Sequence, residues 1–164
     1  MIAAEGPAAE RSARAVFALL VLACLAAFFV TQRLKHTPTA VQAFKLTPAF
    51  SPALAGPSAQ EHISFKLARA DEVTVEIERA SGGVAATLLR DQPVARYKQF
   101  SLRWNGRLGT APGYTVLTAP NGHRTLLPAN DGPLAPAGEY RVRVSLREQG
   151  RSVLSPRSFT LVGR

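Results

Sequence analysis

The chain has 164 residues, and its 20 Lys and Arg against 11 Asp and Glu give a formal net charge of +9 at pH 7. Its one cysteine excludes an intrachain disulfide, so a folded domain must be held together by its core alone. A basic balance of this size favours anionic partners, such as acidic protein surfaces, anionic polymers or lipid head groups. Nucleic acid is not expected, because no RNA-binding signature, zinc-ligand pair or recognition-helix pattern accompanies the basic residues.

The N-terminal segment contains an uncharged and largely apolar run. We predict a short tail over 1–14 and a transmembrane helix over 15–32, because about 17 to 25 apolar residues cross a hydrocarbon core. One alternative is a cleaved secretory signal. Phe28 and Phe29 argue against it, because they are bulky and lie where a peptidase needs small residues. Another alternative is lipid attachment at Cys24. The apolar sequence that continues after Cys24 argues against it.

A proline-rich segment follows over 33–59. Proline disfavours both helices and central strands, and it biases the chain towards extended conformations. The segment is therefore predicted to be a stalk that leads into a domain, with 44–52 packed on that domain.

Period-two alternation of apolar and polar residues dominates 60–164, which is typical of half-buried strands. Turn signals separate the runs, and this arrangement predicts an all-β fold, with two packed antiparallel sheets of about seven strands in all. Trp104 is expected between the sheets with its indole nitrogen hydrogen-bonded. The clearest runs are 63–67, 73–77, 100–104 and 140–146, the weaker ones are 84–90 and 153–162, and the predicted structural core residues are Phe65, Val75, Trp104, Tyr140 and Val142.

Five short motifs carry a resemblance to a known family. In chain order they are Phe50-Ser51-Pro52, Ile63-Ser64-Phe65-Lys66-Leu67, Val73-Thr74-Val75-Glu76-Ile77, Trp104-Asn105-Gly106 and Pro136-Ala137-Gly138-Glu139-Tyr140-Arg141-Val142. This order resembles the immunoglobulin-like domain of the flagellar hook-capping protein, a type that recurs in bacterial surface and secreted proteins. The resemblance implies an immunoglobulin-like β-sandwich. It departs from the family at Ala53, Leu54 and Ala55, where members often carry Asn, Asp and Gly.

The expected location combines the predicted span with this kinship. The basic residues on the two sides of the span balance and do not fix its orientation. The kinship favours a cytoplasmic N-terminus and an extracytoplasmic C-terminal domain. The chain is thus expected to be a single-pass protein of the bacterial inner (cytoplasmic) membrane, with the lipid bilayer as a partner through 15–32.

An insertion near 109–135 separates two motifs that usually lie close together in the family. Within it, two short strands flank the hairpin signal Ala119-Pro120-Asn121-Gly122-His123. An elaborated loop on a rigid scaffold is a common place for binding, and a tolerated surface insertion is the alternative. The candidate partner-binding residues are Tyr114, Asn121, His123, Arg124, Arg141 and Arg143.

Catalytic and metal-binding patterns are not found in the sequence. His36, His62 and His123 are far apart with no cysteine ligands nearby, which argues against zinc. No nucleophile elbow, phosphate-binding loop or metalloprotease motif occurs, so neither an enzyme nor a cofactor is expected. Glu76 and Glu78 are expected to pair across a sheet with Arg141 or Arg143.

The function predicted from these features is a non-catalytic, membrane-tethered binding or scaffolding module of the bacterial cell envelope. Its partner is expected to be a protein, with anionic polymers or lipid head groups as further possibilities. One alternative is a structural subunit of a larger membrane or appendage assembly. Another is an accessory domain that binds wall polymer or carbohydrate.

Overall fold

The structure is a computed structural model that describes residues 7–35 and 39–163. Within the first range, side chains are described only at Arg14 and 16–31. Part of the predicted tail lies outside the described residues, and so does His36.

The chain consists of two compact units, Met1–Pro38 and Thr39–Arg164. The first unit contains helix α1, Pro7–Lys35. The second contains all twelve described strands and a short 3-10 helix, Gly56–Ala59.

The predicted transmembrane helix over 15–32 is wrong on the structural finding. Nowhere in the described ranges is a helix both long enough and apolar enough to cross a membrane. A span needs about 17 to 25 consecutive apolar residues. The predicted single-pass topology, the inner-membrane location and the membrane tether are corrected with it.

Twelve strands build the second unit, and their bounds follow the alternation of apolar and polar residues where the strands are long. In chain order they are β1 (Val41–Leu46), β2 (Ala49–Phe50), β3 (Glu61–Leu67), β4 (Asp71–Arg79), β5 (Val84–Val94), β6 (Phe100–Trp104), β7 (Gly109–Thr110), β8 (Tyr114–Thr118), β9 (Arg124–Pro128), β10 (Gly138–Leu146), β11 (Arg151–Leu154) and β12 (Phe159–Leu161).

The strands form two sheets. The five-stranded sheet has the order β1-β3-β6-β9-β8. The seven-stranded sheet has the order β2-β12-β10-β4-β5-β7, with β11 paired to β10. Three pairings are parallel, namely β2 with β12, β5 with β7 and β6 with β9. The prediction of about seven strands, all antiparallel, is therefore wrong for the described unit. The additional strands were missed because strands of two residues are too short to show alternation in the sequence.

The core lies between the two sheets and is centred on Trp104, which is fully buried. Its ring lies 5.6 Å from Phe50 and 5.5 Å from Tyr140, both of which belong to the opposite sheet. The indole Nε1 donates to the carbonyl oxygen of Arg107 at 2.8 Å, which confirms the predicted hydrogen bond. All the residues assigned to the structural core are buried: Phe65, Val75, Trp104, Tyr140 and Val142.

The predicted stalk contributes strands to the sandwich. Strand β1 pairs with β3, and β2 pairs with β12, so 41–50 is part of the two sheets. Further along, the weak run over 153–162 becomes β11 and β12 with Pro156 between them. Proline cannot donate to a ladder, which accounts for the break.

Candidate functional site

The predicted hairpin is present as β8 and β9, joined by a tight turn. The Asn121 Oδ1 accepts a hydrogen bond from the backbone N–H of His123 at 3.0 Å, and Ala119 N–H donates to the His123 carbonyl at 2.8 Å. Gly122 has a φ of 78°, which a glycine adopts without strain. These contacts are the local reason for the turn, and they hold Asn121 and His123 at its tip.

A cleft of about 260 Å³ lies against the hairpin, and we call it the hairpin cleft. Two residues predicted as partner-binding, Tyr114 and Arg124, lie in its wall together with Lys98. Its described lining includes no Asp or Glu. The lining residues are Gln92, Pro93, Val94, Ala95, Lys98, Gln99, Phe100, Ser101, Tyr114, Arg124 and Leu126.

The chemistry of the hairpin cleft suits an anion. Lys98 and Arg124 bring positive charge, and the guanidinium of Arg124 can hold a carboxylate in a bidentate manner. The phenol of Tyr114 and the amides of Gln92 and Gln99 offer further donors. An anionic group such as a carboxylate suits this set of donors.

Two histidines that are far apart in sequence come together beside the hairpin. His123 Nε2 lies 3.0 Å from the Ser101 Oγ, which connects the turn to β6. The pKa of His62 lies below its ordinary value, first because of burial and then because of the positive charges of Arg103 and His123. Sequence reasoning treated the histidines as isolated, because only the pairing of β3 with β6 and the fold of the hairpin bring them together.

The Ser101 and His123 pair does not have the arrangement of a catalytic nucleophile. Ser101 is 2% exposed, and its hydroxyl contacts the His123 ring. No carboxylate among the described residues is hydrogen-bonded to the His123 ring to orient it, as a catalytic triad requires. In the described ranges, no group of three or more His, Cys, Asp or Glu side chains could hold a metal ion. We therefore assign the pair a structural role in docking the turn.

The other predicted cations, Arg141 and Arg143, lie on β10 in the seven-stranded sheet. Arg143 forms an ion pair with Glu78 at 2.6 Å, which confirms the predicted cross-strand pairing. Arg141 is exposed and lies opposite Glu78 in the strand register. The structure thus separates the six partner-binding candidates into a hairpin group and a pair on the other sheet.

The two sheets differ in how their charges are balanced. On the seven-stranded sheet, acidic residues of β4 pair with an arginine of β10 and with the arginine that follows it, Glu78 with Arg143 at 2.6 Å and Glu72 with Arg147 at 2.9 Å. The strands of the five-stranded sheet contain a single acid, Glu61, and it is buried. Within the described part of the chain, its cations form no ion pair: Lys45, Lys66, Arg103 and Arg124. Unbalanced positive charge is thus concentrated on the sheet that carries the hairpin.

Lys98 is the cleft residue that sequence reasoning missed. It lies in the short connection between β5 and β6, outside both the insertion and the alternating runs. A cation directly before a strand is too common to stand out in a basic chain. Only the approach of the hairpin to this connection brings Lys98 and Arg124 to one cleft.

A larger groove of about 680 Å³ lies elsewhere on the sandwich, between the β1 segment and the connection before β12. Its two cations are Lys45 and Arg157, and the rest of its described lining is mainly apolar: Phe44, Leu46, Pro48, Pro156 and Ser158. It contains none of the partner-binding candidates. We take the hairpin cleft as the candidate site because it contains two of the predicted partner-binding residues, Tyr114 and Arg124, beside the amides of Gln92 and Gln99, and because its two cations form no ion pair with any described residue.

Comparison with known proteins gives no relative from which a function could be transferred. No family model matches the chain, and no curated protein matches it.

Proposed function

We propose that this protein is a non-catalytic binding module that recognises an acidic segment of a partner protein at the hairpin cleft. The observation that carries the proposal is the unbalanced positive charge there. Lys98 and Arg124 line the same cleft without a carboxylate, whereas Arg143 and Arg147 on the other sheet are already paired with glutamates. Unpaired cations beside a concave surface are available to a partner, and they steer an acidic one towards it.

The architecture also supports kinship with the immunoglobulin-like domains of the hook-capping type, which we keep as part of the proposal. Trp104 fills the space between the sheets, and the Tyr140 hydroxyl donates to the Pro136 carbonyl at 2.6 Å. A tyrosine bonded to the backbone just upstream is a recurring feature of immunoglobulin-like sandwiches. Such kinship concerns the fold, and function must be argued from the site.

The experiment that tests the proposed function is site-specific photo-crosslinking with the full chain in its own cells. A benzophenone amino acid replaces Tyr114 in the hairpin, or Leu154 as a matched control. Both positions are exposed, at 42% and 40%, and Leu154 lies on the seven-stranded sheet. We expect a discrete protein adduct from position 114 and none from position 154.

Charge reversal then tests the electrostatic part of the proposal. Arg124→Glu should remove the adduct, whereas Arg141→Glu, on an exposed arginine of the other sheet, should leave it unchanged. The adduct should also weaken steeply as salt rises, since exposed charges are screened over about 8 to 10 Å at 0.1 to 0.15 M salt. Equal adducts from positions 114 and 154, or an adduct indifferent to Arg124→Glu, would contradict the proposal.

A structural subunit is the second candidate function, and the exposed apolar side chains of the hairpin favour it. Tyr114 is 42% and Leu117 is 46% exposed, which is the type of surface that packs on a neighbouring subunit. In that case the adduct from position 114 would be stoichiometric and would persist at high salt. Salt dependence therefore separates the two candidates.

A further inference from the structure

The hairpin ends the five-stranded sheet, and two backbone hydrogen bonds fix the pairing pattern along it. Ala129 N–H donates to the Gly113 carbonyl at 2.9 Å, and Ala119 N–H donates to the His123 carbonyl at 2.8 Å. In an antiparallel pair, residues that exchange hydrogen bonds alternate with residues that do not. Counting inwards from both ends of the hairpin, Thr115 and Leu117 are the residues of β8 that are hydrogen-bonded to β9.

The intervening residues of β8 therefore direct their backbone groups away from β9. These residues are Tyr114, Val116 and Thr118. Strand β8 has β9 as its only neighbour in the described sheet, so their N–H and C=O groups form an open edge. An open edge is a template on which another strand can pair.

The other sheet edges are protected in the ways that proteins commonly use. Strand β1 carries Lys45 and a bulge between Gln42 and Lys45, where Ala43 has a φ of 50°. Strands β2 and β7 have two residues each, and β11 begins with Arg151. By contrast, the five residues of β8, Tyr-Thr-Val-Leu-Thr, include no charge and no proline, and their register with β9 is regular. Short strands, bulges and charges discourage pairing, and β8 has none of them.

We propose that β8 accepts an extended, acidic segment of a partner protein as an added strand of the five-stranded sheet. This inference rests on the proposed function and specifies how the partner is held. The outward backbone groups of β8 would supply the ladder, while side chains of alternate partner residues reach opposite faces. Apolar partner residues contact Leu117, and acidic ones reach Arg124 at the end of β9 and Lys98 in the hairpin cleft.

A second copy of this chain is a poorer occupant on charge grounds. Pairing β8 with another β8 brings two hairpins together, each with its own Arg124, in a protein of net charge +9. Like charges placed opposite each other across a sheet are destabilising. An acidic segment instead neutralises the cations that the structure leaves unpaired.

The test begins with a random peptide library displayed on phage and selected on the immobilised full chain at low salt. The most enriched peptide is then synthesised and used as the probe in titrations. We expect the enriched peptides to combine Asp or Glu with β-branched residues. Failure to enrich any peptide, or an enriched peptide whose affinity is unchanged by Arg124→Glu, would overturn both the proposed function and this inference.

A proline at an outward position then tests the added strand itself. Thr118→Pro removes an outward N–H but leaves the ladder with β9 intact, because proline is tolerated at a strand edge. Thr118→Val is the matched control, since it changes the side chain and keeps the N–H. We expect Thr118→Pro to weaken the probe about tenfold and Thr118→Val to weaken it less than twofold. Equal affinity of the two variants would overturn strand addition.

Strand addition can also be tested with the wild-type protein, so that the result does not depend on whether a variant folds. Each residue of the probe is replaced in turn by its N-methyl form, which cannot donate its backbone hydrogen. Strand addition predicts that alternate positions lose affinity, because only alternate residues face β8. Losses without this period would overturn strand addition while leaving the proposed function in place. Sedimentation showing a dimer that Thr118→Pro dissociates would contradict the choice of occupant.

Discussion

The backbone N–H of Thr47 donates to the Glu61 Oε1 at 2.8 Å, and the carboxyl group that accepts this bond is buried in the sandwich. The second oxygen, Oε2, is buried without a hydrogen-bond partner. Burial is the main influence on the group and raises the pKa of Glu61 from 4.5 to about 8, against the opposing effect of the bond from Thr47. Glu61 is therefore protonated at neutral pH in the folded protein.

This raised pKa makes stability depend on pH in a definite direction. Below pH 4.5, Glu61 holds its proton in both the folded and unfolded states. Between pH 4.5 and about 8 only the unfolded state releases it, so stability falls as pH rises, by up to about 1.4 kcal/mol per pH unit. Glu61→Gln keeps an acceptor for Thr47 and removes the titration. We expect the variant to be the more stable protein at pH 8 and the pH slope to be smaller.

Urea unfolding at pH 5, 6, 7 and 8 measures this effect. His62 acts in the opposite sense, because its lowered folded pKa makes stability fall as pH drops through 6.5. The difference between wild type and Glu61→Gln is thus the quantity to compare across pH. An identical pH slope for the two proteins would show that Glu61 is ionised in the folded state.

Gly106 occupies a position that should not accept a side chain. Its φ is 77°, and a Cβ placed there would lie 2.7 Å from the Pro52 Cγ. Both the left-handed backbone and the overlap oppose Gly106→Ala. We expect this substitution to lower the free energy of unfolding by about 3 kcal/mol.

Gly122 provides the matched control for that substitution. Its φ of 78° is nearly the same, but a Cβ there would meet nothing within 4 Å. Gly122→Ala should therefore cost only the backbone strain, about 1 kcal/mol. Urea denaturation of the two variants separates overlap from strain, and equal losses would show that the contact with Pro52 relaxes freely.

Long strands were predictable because each sheet buries one face. Residues 73–77 and 140–146 alternate without interruption, and they lie in β4 and β10, neighbours in the seven-stranded sheet. Strands β2 and β7 were not predictable, because two residues cannot show a period and their pairing is parallel to distant segments. Membrane crossing was inferred from composition, and the described helix does not support it.

The candidate site was predictable only in its local part. The Asn121-Gly122 turn predicted the hairpin, because these residues favour the backbone of a tight turn. The contribution of Lys98 and the approach of His62 to His123 depend on how separate segments pack, which local patterns do not contain. Glu61 shows a signal that was present but unused, since it lies in phase with the inward residues of β3.

Trp104 contributes both packing and a hydrogen bond to the core, and one substitution tests the two together. Trp104→Phe retains an aromatic ring between the sheets but loses the donor to the Arg107 carbonyl. We expect a loss of about 1 to 3 kcal/mol in the free energy of unfolding. Trp104 is the only tryptophan, so the substitution also removes the tryptophan fluorescence signal. Unfolding is therefore followed by circular dichroism. Tyr97→Phe, on a ring that is 53% exposed, is the control and should change stability by less than about 0.5 kcal/mol.

The ion pair between Arg143 and Glu78 is the least exposed of the ion pairs described. Its two atoms lie 2.6 Å apart, and the Glu78 side chain is only 11% exposed, so removing Arg143 would leave a nearly buried carboxylate. We expect Arg143→Ala to lower the free energy of unfolding by about 1 to 3 kcal/mol. Arg141→Ala, on an exposed neighbour in the same strand, should stay within about 0.5 kcal/mol of wild type.

Urea denaturation in low and high salt checks both the size and the origin of that loss. The pair is shielded from solvent on the Glu78 side, so the loss should persist when salt screens exposed charges. Equal stabilities for the Arg143 and Arg141 variants would mean that water replaces the guanidinium at Glu78.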